Sequence, residues 1–276
     1  MNSNIYNIKK SIINIMLYIN KKRHLYLLNK YTASTDEEKE AVKYIKENNI
    51  DTFTNRLSKI YKPSDVKVFS DSKNGLNFVY WNLKKLYLPK GMCIKQIQDY
   101  ISFLSAEQDI YSPHSYSIVD IPSNSIVIDI GAAEGNFSLD LVDKVSKLYI
   151  VESNSKWLES LRETFSPYKD KVVIINETIT KNNPIDNYIK DIPDYVKIDA
   201  EGAEKDIIIS SQIIINHKPT IVAATYHNGE DAKDLEKILR DNSFDTKFSK
   251  GLLMFLYKFS TSYPILRKAL IVATKN

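Results

Sequence analysis

The chain has one cysteine, Cys93, among 276 residues. A single thiol excludes an intrachain disulfide framework, a CxxC metal site and a nucleophile paired with a resolving cysteine. Long apolar runs are also missing. The longest near the N-terminus, SIINIMLYI at 11–19, is about half of the ~20 residues that span a bilayer. No small-residue cleavage site follows it, so neither a transmembrane segment nor a signal peptide is expected, and the expected compartment is the cytoplasm. Charge of one sign is not concentrated anywhere: 38 Lys and Arg stand against 34 Asp and Glu, a net +4. That balance gives no tail for nucleic acid, and the locally basic KVFSDSKNGLNFVYWNLKK reads as solvated surface. Repeats and low-complexity segments are absent. Glycine is scarce at seven residues, yet Gly131 and Gly135 fall within five positions, directly after an apolar run in SIVIDIGAAEGNF.

What is present is an ordinary globular composition, 43% hydrophobic and 26% charged. Ile5, Ile8, Ile12, Ile15, Ile19 and Tyr26 recur at helical spacing over residues 4–29. TDEE at 35–38 is a capping box that opens a helix to Asn48, and Asp51 is a candidate cap for a shorter helix before Pro63. VKVF, LNFVYW and KLYL read as strands, with Asn74-Gly75 as a hairpin turn. Residues 92–104 return to helical spacing. From about residue 118, strands and helices alternate: SIVIDI, NFSLDLVDKV, KLYIVE, SKWLESLRETF, KVVIIN, a short helix at 185–190, YVKID, one helix through GAEKDIIISSQIII, TIVAATY, and DAKDLEKILRD. ALIVATK closes the chain as one or two strands. Continuous apolar strands between amphipathic helices predict an α/β fold with a doubly wound, mostly parallel sheet. Residues 1–110 form a helical and β-hairpin extension, a cap or oligomerisation element, and 111–276 the sheet domain.

In such a sheet ligands bind beyond the carboxyl ends of the strands. The turn after strand one reads D-x-G-x-x-x-G, with Asp129, Gly131, Ala132 and Gly135. A dinucleotide loop reads G-x-G-x-x-G; here the middle position is Ala133, and Glu134 would repel a diphosphate. Asp129 and Glu134 suit a cation, such as S-adenosylmethionine with its sulfonium and ammonium groups, and Asp129 is placed to receive the ammonium. Glu152 ends strand two, where a carboxylate accepts from both ribose hydroxyls. Asn176 and Glu177 end strand three, near an adenine edge. Asp199 ends strand four.

VIDIGAAEGNF, YIVESNSKW and VKIDAEGAEKDII together resemble the FkbM-type methyltransferases. The resemblance runs over roughly residues 107–232, including EQDIYSPHSY and YHNGED; residues 76–95 resemble a strand pair found upstream in some members, and residues 1–60 match nothing. It implies a class I Rossmann-like fold, S-adenosylmethionine as cofactor, and methylation of hydroxyls on sugars, glycans and natural products. Asp199-Ala200-Glu201-Gly202 stands where nucleobase amino methyltransferases carry an [ND]-PP-[YF] motif, and Cys93 lies upstream of the core, so oxygen is the expected acceptor.

A sugar hydroxyl is a weak acid, so its transfer needs a general base or a metal. His227, after strand five, is the first candidate base. Asp199 is the second, its pKa raised by neighbouring carboxylates. Asp199, Glu201 and Glu204 are weaker candidates for a divalent metal, since Glu201 and Glu204 also suit capping of the next helix. Lys197 is expected to pair with an acid. Glu107, Gln108, His114 and Tyr116 sit where a loop can close over the cofactor. His217 and His24 read as structural and solvated, and Trp81 and Trp157 as packing. Phe78, Tyr80, Trp81 and Tyr87 make either an acceptor platform or a hairpin core. Helix one packs on the catalytic domain, with dimerisation or a membrane surface as its other uses. The leading reading is an O-methyltransferase with a small-molecule or glycan acceptor. An RNA-directed methyltransferase, a non-catalytic interaction module and a nicotinamide dehydrogenase are the alternatives; nucleic acid is disfavoured and a homo-oligomer is left open.

Overall fold

A computed structural model describes residues 22–23, 25–48, 50–254 and 265–275. Most of the helix expected over 4–29 lies outside them, with His24, although 25–30 are helical. Helix α1 (Asp36–Asn48) opens on the capping box: Glu38 N–H donates to Thr35 Oγ1 and Thr35 N–H to Glu38 Oε2, both at 3.1 Å. It buries Ala41, Val42 and Ile45 against Leu28, Leu252 and Met254. Asp51 does not cap the next helix, because its carboxylate accepts the neighbouring Thr52 N–H at 2.7 Å. Asn55 Oδ1 instead accepts from Leu57 N–H at 3.1 Å, in a turn that leads into the one-turn helix α2 (Leu57–Ile60), whose N-cap Arg56 makes no side-chain cap.

Strands β1 (Phe69–Ser70), β2 (Asn77–Trp81) and β3 (Lys84–Tyr87) form an antiparallel sheet in that order. Asn74-Gly75 is not a two-residue hairpin. It belongs to a longer loop closed by Gly75 N–H to Asp71 O at 2.8 Å. The tight turn is Asn82-Leu83, both left-handed at φ +45° and +68°, as a type I′ turn requires. Leucine gives no turn signal, so this turn was not expected. Helix α3 (Ile94–Glu107) follows.

The main sheet has seven strands. Five are parallel, β4 (Ile126–Ile130), β5 (Lys147–Val151), β6 (Val172–Ile175), β7 (Tyr195–Ile198) and β8 (Thr220–Ala224), in the order β6-β5-β4-β7-β8. Strand β9 (Phe244–Phe248) was not anticipated, since FDTKF alternates and one side of it is exposed. Strands β10 (Leu253–Met254) and β11 (Leu266–Arg267) make a small separate ladder. Strand β12 (Leu270–Lys275) runs antiparallel between β8 and β9.

Alternate residues of the parallel strands feed two cores. Val127 and Tyr195 join the face covered by the hairpin, α3, α4 (Asn136–Leu141) and α5 (Leu158–Phe165). Ile128, Ile130, Val196 and Ile198 face α6 (Glu204–Ser210), α7 (Gln212–His217) and α8 (Asp231–Asp241). Each such fully buried aliphatic side chain contributes roughly 1.5–3 kcal/mol. The hairpin and α3 thus share a core with the sheet. The single helix expected over 202–215 is two: Ser211 turns extended, and its hydroxyl accepts from Ile214 N–H at 3.3 Å to cap α7. Among the described residues, no helix is long and apolar enough to cross a membrane.

Candidate active site

The carboxyl ends of β4–β7 open into a cavity of about 390 Å³, within the usual range of small-molecule sites. Its floor is fixed by a backbone contact. A Cβ at Gly131 would lie 1.8 Å from the Asp199 carbonyl oxygen, and Gly131 sits at φ +76°. Only glycine fits both conditions. Gly135 makes room for α5: a Cβ there would meet Leu161 and Phe165, at 2.8 and 2.9 Å.

Asp129 is beneath this floor, fully buried. Parallel register sets it beside Lys197. Lys197 Nζ lies 2.9 Å from Asp129 Oδ1 and donates to Gly131 O at 2.7 Å, while Ser138 Oγ donates to Asp129 Oδ2 at 2.7 Å. Burial pulls the Lys197 pKa down, but the charges of Asp129 and Asp199 outweigh it and hold the ammonium protonated. The expected ammonium-binding role of Asp129 therefore does not match its surroundings: both carboxylate oxygens are engaged inside the protein.

Ala133 and Glu152 line the cavity; Ala132, Glu134, Gly135 and Asn176 do not. Glu152 Oε2 accepts Ala133 N–H at 2.8 Å and Oε1 accepts Asn154 N–H at 2.7 Å. Asn176 Nδ2 donates to the carbonyls of Glu152 (2.7 Å) and Ser153 (3.2 Å), tying the ends of β5 and β6 together. Glu134 is buried and accepts a short hydrogen bond from Tyr100; burial pushes its carboxyl up to about 7, against the hydrogen bond from Tyr100.

Asp199 lies at the centre of a run of acids and imidazoles. His114 Nε2 is 3.5 Å from its Oδ2, and His227 Nε2 is 3.4 Å from its Oδ1. On the far side of each ring, His114 Nδ1 is 3.5 Å from Glu107 Oε1 and His227 Nδ1 is 3.0 Å from Glu204 Oε1. Tyr116 adds a 2.9 Å hydrogen bond to Asp199 Oδ2. Burial alone would raise the Asp199 pKa; His114, Lys197 and His227 overcome it and hold the carboxyl well below the usual range. The expected rise is thus reversed, because His114, Lys197 and His227 act directly on this carboxylate. Burial lowers the His227 pKa, but Glu204 and Asp199 outweigh it and raise it above the usual imidazole value. His114 is raised against its burial by Glu107 and Asp199.

Asp199, Glu204 and His227 bring one donor atom each within 4.8 Å of the others. Glu201, expected in such a group, turns to solvent with its side chain 94% exposed. Glu204 Oε1 already accepts from Ala200 N–H (2.8 Å) and Gly202 N–H (3.3 Å), besides facing His227. It is placed as the cap of the turn into α6, and these donors suit a divalent ion poorly.

A second cavity of about 400 Å³ adjoins the first, lined by Thr52, Phe103, His227, Leu253 and Met254. Glu107, Glu201 and Tyr226 lie on the walls of both. Trp157, expected only to pack, lines the first cavity with its ring 5.7 Å from that of Tyr100. Thr178, Ile179 and Tyr226 were not anticipated on these walls; Thr178 directly follows Glu177, and Tyr226 directly precedes His227. Of the N-terminal aromatics, Phe78 and Tyr87 are buried, Tyr80 is exposed, and Trp81 Nε1 donates to Asp140 at 3.0 Å. Five carboxylates line the first cavity, Glu107, Glu152, Glu177, Asp199 and Glu201, and among the described residues no lysine, arginine or histidine does.

A family model for the methyltransferase FkbM domain matches residues 101–246, just over half of the chain. Among solved structures, the methyltransferase FkbM from Methylobacillus flagellatus KT is similar at 17% identity and TM-score 0.48, over 65% of this chain and 53% of that one. The chain thus spans about half the length of that relative. A precorrin-6y C5,15-methyltransferase from Geobacter metallireducens GS-15 is similar at 15% identity and TM-score 0.44, over 68% of this chain and 93% of that one. An rRNA methylase from Streptococcus thermophilus is similar at 14% identity and TM-score 0.39, over 56% and 90%. No curated protein matches the chain.

Proposed function

The chain belongs to the FkbM methyltransferase family, and from that premise we propose that it is an enzyme moving a methyl group from S-adenosylmethionine to a hydroxyl of a sugar, glycan or related metabolite. The observation that carries the cofactor is the charge of the first cavity. Five carboxylates and no basic side chain among its described lining residues favour a cationic nucleoside and repel a diphosphate. This also argues against a nicotinamide dinucleotide.

When bound, S-adenosylmethionine supplies an electrophilic methyl carbon on a good neutral leaving group. Glu152 then holds the ribose hydroxyls from the end of β5. Glu177, Thr178 and Ile179 frame the adenine, and Gly131 with Ala133 forms the wall beside the donor's chain. Glu107 and Asp199 face its positive charges. The acceptor occupies the second cavity, with its hydroxyl turned toward the wall that the two cavities share. His227 and Asp199 act there as a charged pair, with Asp199 kept ionised for electrostatic stabilisation. No metal is needed in this reading, because Glu204 is engaged in capping.

An RNA acceptor has weaker support. In the basic hairpin, Lys84 and Lys85 are paired with Asp143 and Asp71 at 2.9 and 3.2 Å. The test is calorimetry of the full chain with S-adenosylmethionine, S-adenosylhomocysteine and NAD, followed by labelled methyl transfer to a panel of sugars, glycans and RNA. Binding of the two adenosyl ligands and labelling of a sugar hydroxyl are expected. Binding of NAD alone, or labelling of RNA alone, overturns the proposal.

A further inference from the structure

A group that takes a proton from an acceptor in one cavity, as a methyl arrives from the other, is within reach of the reacting oxygen when it stands on the wall between them. Three side chains do: Glu107, Glu201 and Tyr226. Glu201 is 94% exposed, so water already solvates it. Burial, with Asp199 and Glu107 nearby, pushes the Tyr226 phenol well above its ordinary value, so it keeps its proton. His227 lines only the second cavity, and its two ring nitrogens face Glu204 and Asp199. Both nitrogens are thus turned to acids.

Glu107 remains. It ends α3, its side chain 21% exposed, with Oε1 3.5 Å from His114 Nδ1. His114 is almost wholly buried, and its other nitrogen faces Asp199. We infer that Glu107 is the general base that deprotonates the acceptor hydroxyl, and that His114 is the positioning residue that anchors it to Asp199. The inference rests on the methyl-donor reading above.

As the acceptor oxygen forms its bond to the methyl carbon, the carbon–sulfur bond breaks and its electron pair stays on sulfur. The hydroxyl proton passes to the Glu107 carboxylate. A sulfonium and a carboxylate become a sulfide and a carboxylic acid, so charge balances. The exposed part of Glu107 returns the proton to solvent. Burial raises the Glu107 pKa and strengthens it as a base, against the charges of His114 and Lys197, which lower it; Asp199 and Glu201 also face it and raise it.

The test needs no acceptor. Sinefungin carries an ammonium where the transferable methyl sits, and S-adenosylhomocysteine carries nothing there. A carboxylate facing that position gives sinefungin an advantage of about tenfold to a hundredfold, the range of a charge-assisted hydrogen bond. Calorimetry on the full chain is expected to find that advantage in the wild type. Glu107→Gln should lose it while S-adenosylhomocysteine affinity stays within threefold, and Glu107→Asp should retain part of it. The advantage should grow with pH as Glu107 ionises, and in His114→Asn the midpoint should move up, because a cation that lowers the Glu107 pKa is gone.

An advantage that survives Glu107→Gln overturns the base. An equal loss of both ligands in that variant shows a general effect on the pocket and also overturns it. An unmoved midpoint in His114→Asn overturns the positioning role. If the wild type binds neither ligand, the methyl-donor reading itself falls.

Discussion

Ala133 donates its backbone N–H to Glu152 Oε2 at 2.8 Å while sitting at φ +49°. Alanine tolerates that left-handed conformation only at a cost of roughly 1–2 kcal/mol. The carboxylate proposed to hold the ribose therefore also holds the turn in shape. Two roles on one side chain make its loss visible in two measurements.

Glu152→Ala is expected to weaken S-adenosylmethionine binding at least tenfold by calorimetry and to lower the melting temperature by several degrees. Two hydrogen bonds to a charged group, each worth about 1.5–3 kcal/mol, disappear together. Unchanged affinity would reject the ribose assignment, and unchanged melting would reject the structural one.

Gly131→Ala and Gly75→Ala separate crowding from backbone conformation. Both glycines have φ above +70°, but a Cβ at Gly75 meets nothing within 4 Å, whereas at Gly131 it meets the Asp199 carbonyl at 1.8 Å. Denaturant unfolding should show a loss of about 1 kcal/mol at Gly75 and more than ~3 kcal/mol, or no folded protein, at Gly131. Similar losses at both sites would contradict the close approach of β4 and β7.

Lys197→Met leaves the buried Asp129 carboxylate without its partner. Breaking a buried pair from one side costs roughly 3–5 kcal/mol, read from the midpoint of chemical unfolding. Adding Asp129→Asn should recover part of the loss. A double variant no more stable than Lys197→Met would mean the two residues are not coupled.

Glu134 gives a pH signature. Its carboxyl, ordinarily at 4.5, is pushed up to about 7 by burial. The folded state therefore binds this proton more tightly than the unfolded chain does. The contribution is fully present below pH ~4.5 and is lost as pH rises through ~7, up to about 3 kcal/mol in all. Unfolding free energies measured from pH 4.5 to 8 should decline less in Glu134→Gln than in the wild type. Identical slopes would refute the shift.

The strand-and-helix alternation after residue 118 was legible because apolar runs in a parallel sheet are continuous and their helices amphipathic. The strand-end positions of Glu152, Glu177 and Asp199 followed from it. The partnership of Asp129 with Lys197 did not, since it comes from the register between strands that lie 68 residues apart in sequence. An acid before a glycine turn reads alike whether it faces a ligand or a buried lysine. Glu107 was only one polar residue in a loop motif until α3 brought it to the shared wall. The Asn82-Leu83 turn carries no glycine, and β9 no apolar run, so neither announced itself.

The place of β12 has a consequence for how the molecule is made. It follows β9 in the chain, yet it fits between β8 and β9 and bonds to both. A nascent chain that has emerged through β9 holds that strand with an open slot on its inner side. The seven-strand sheet closes only when residues 270–275 leave the ribosome, so arrested or clipped chains ending before them would present two unsatisfied edges to any neighbouring strand.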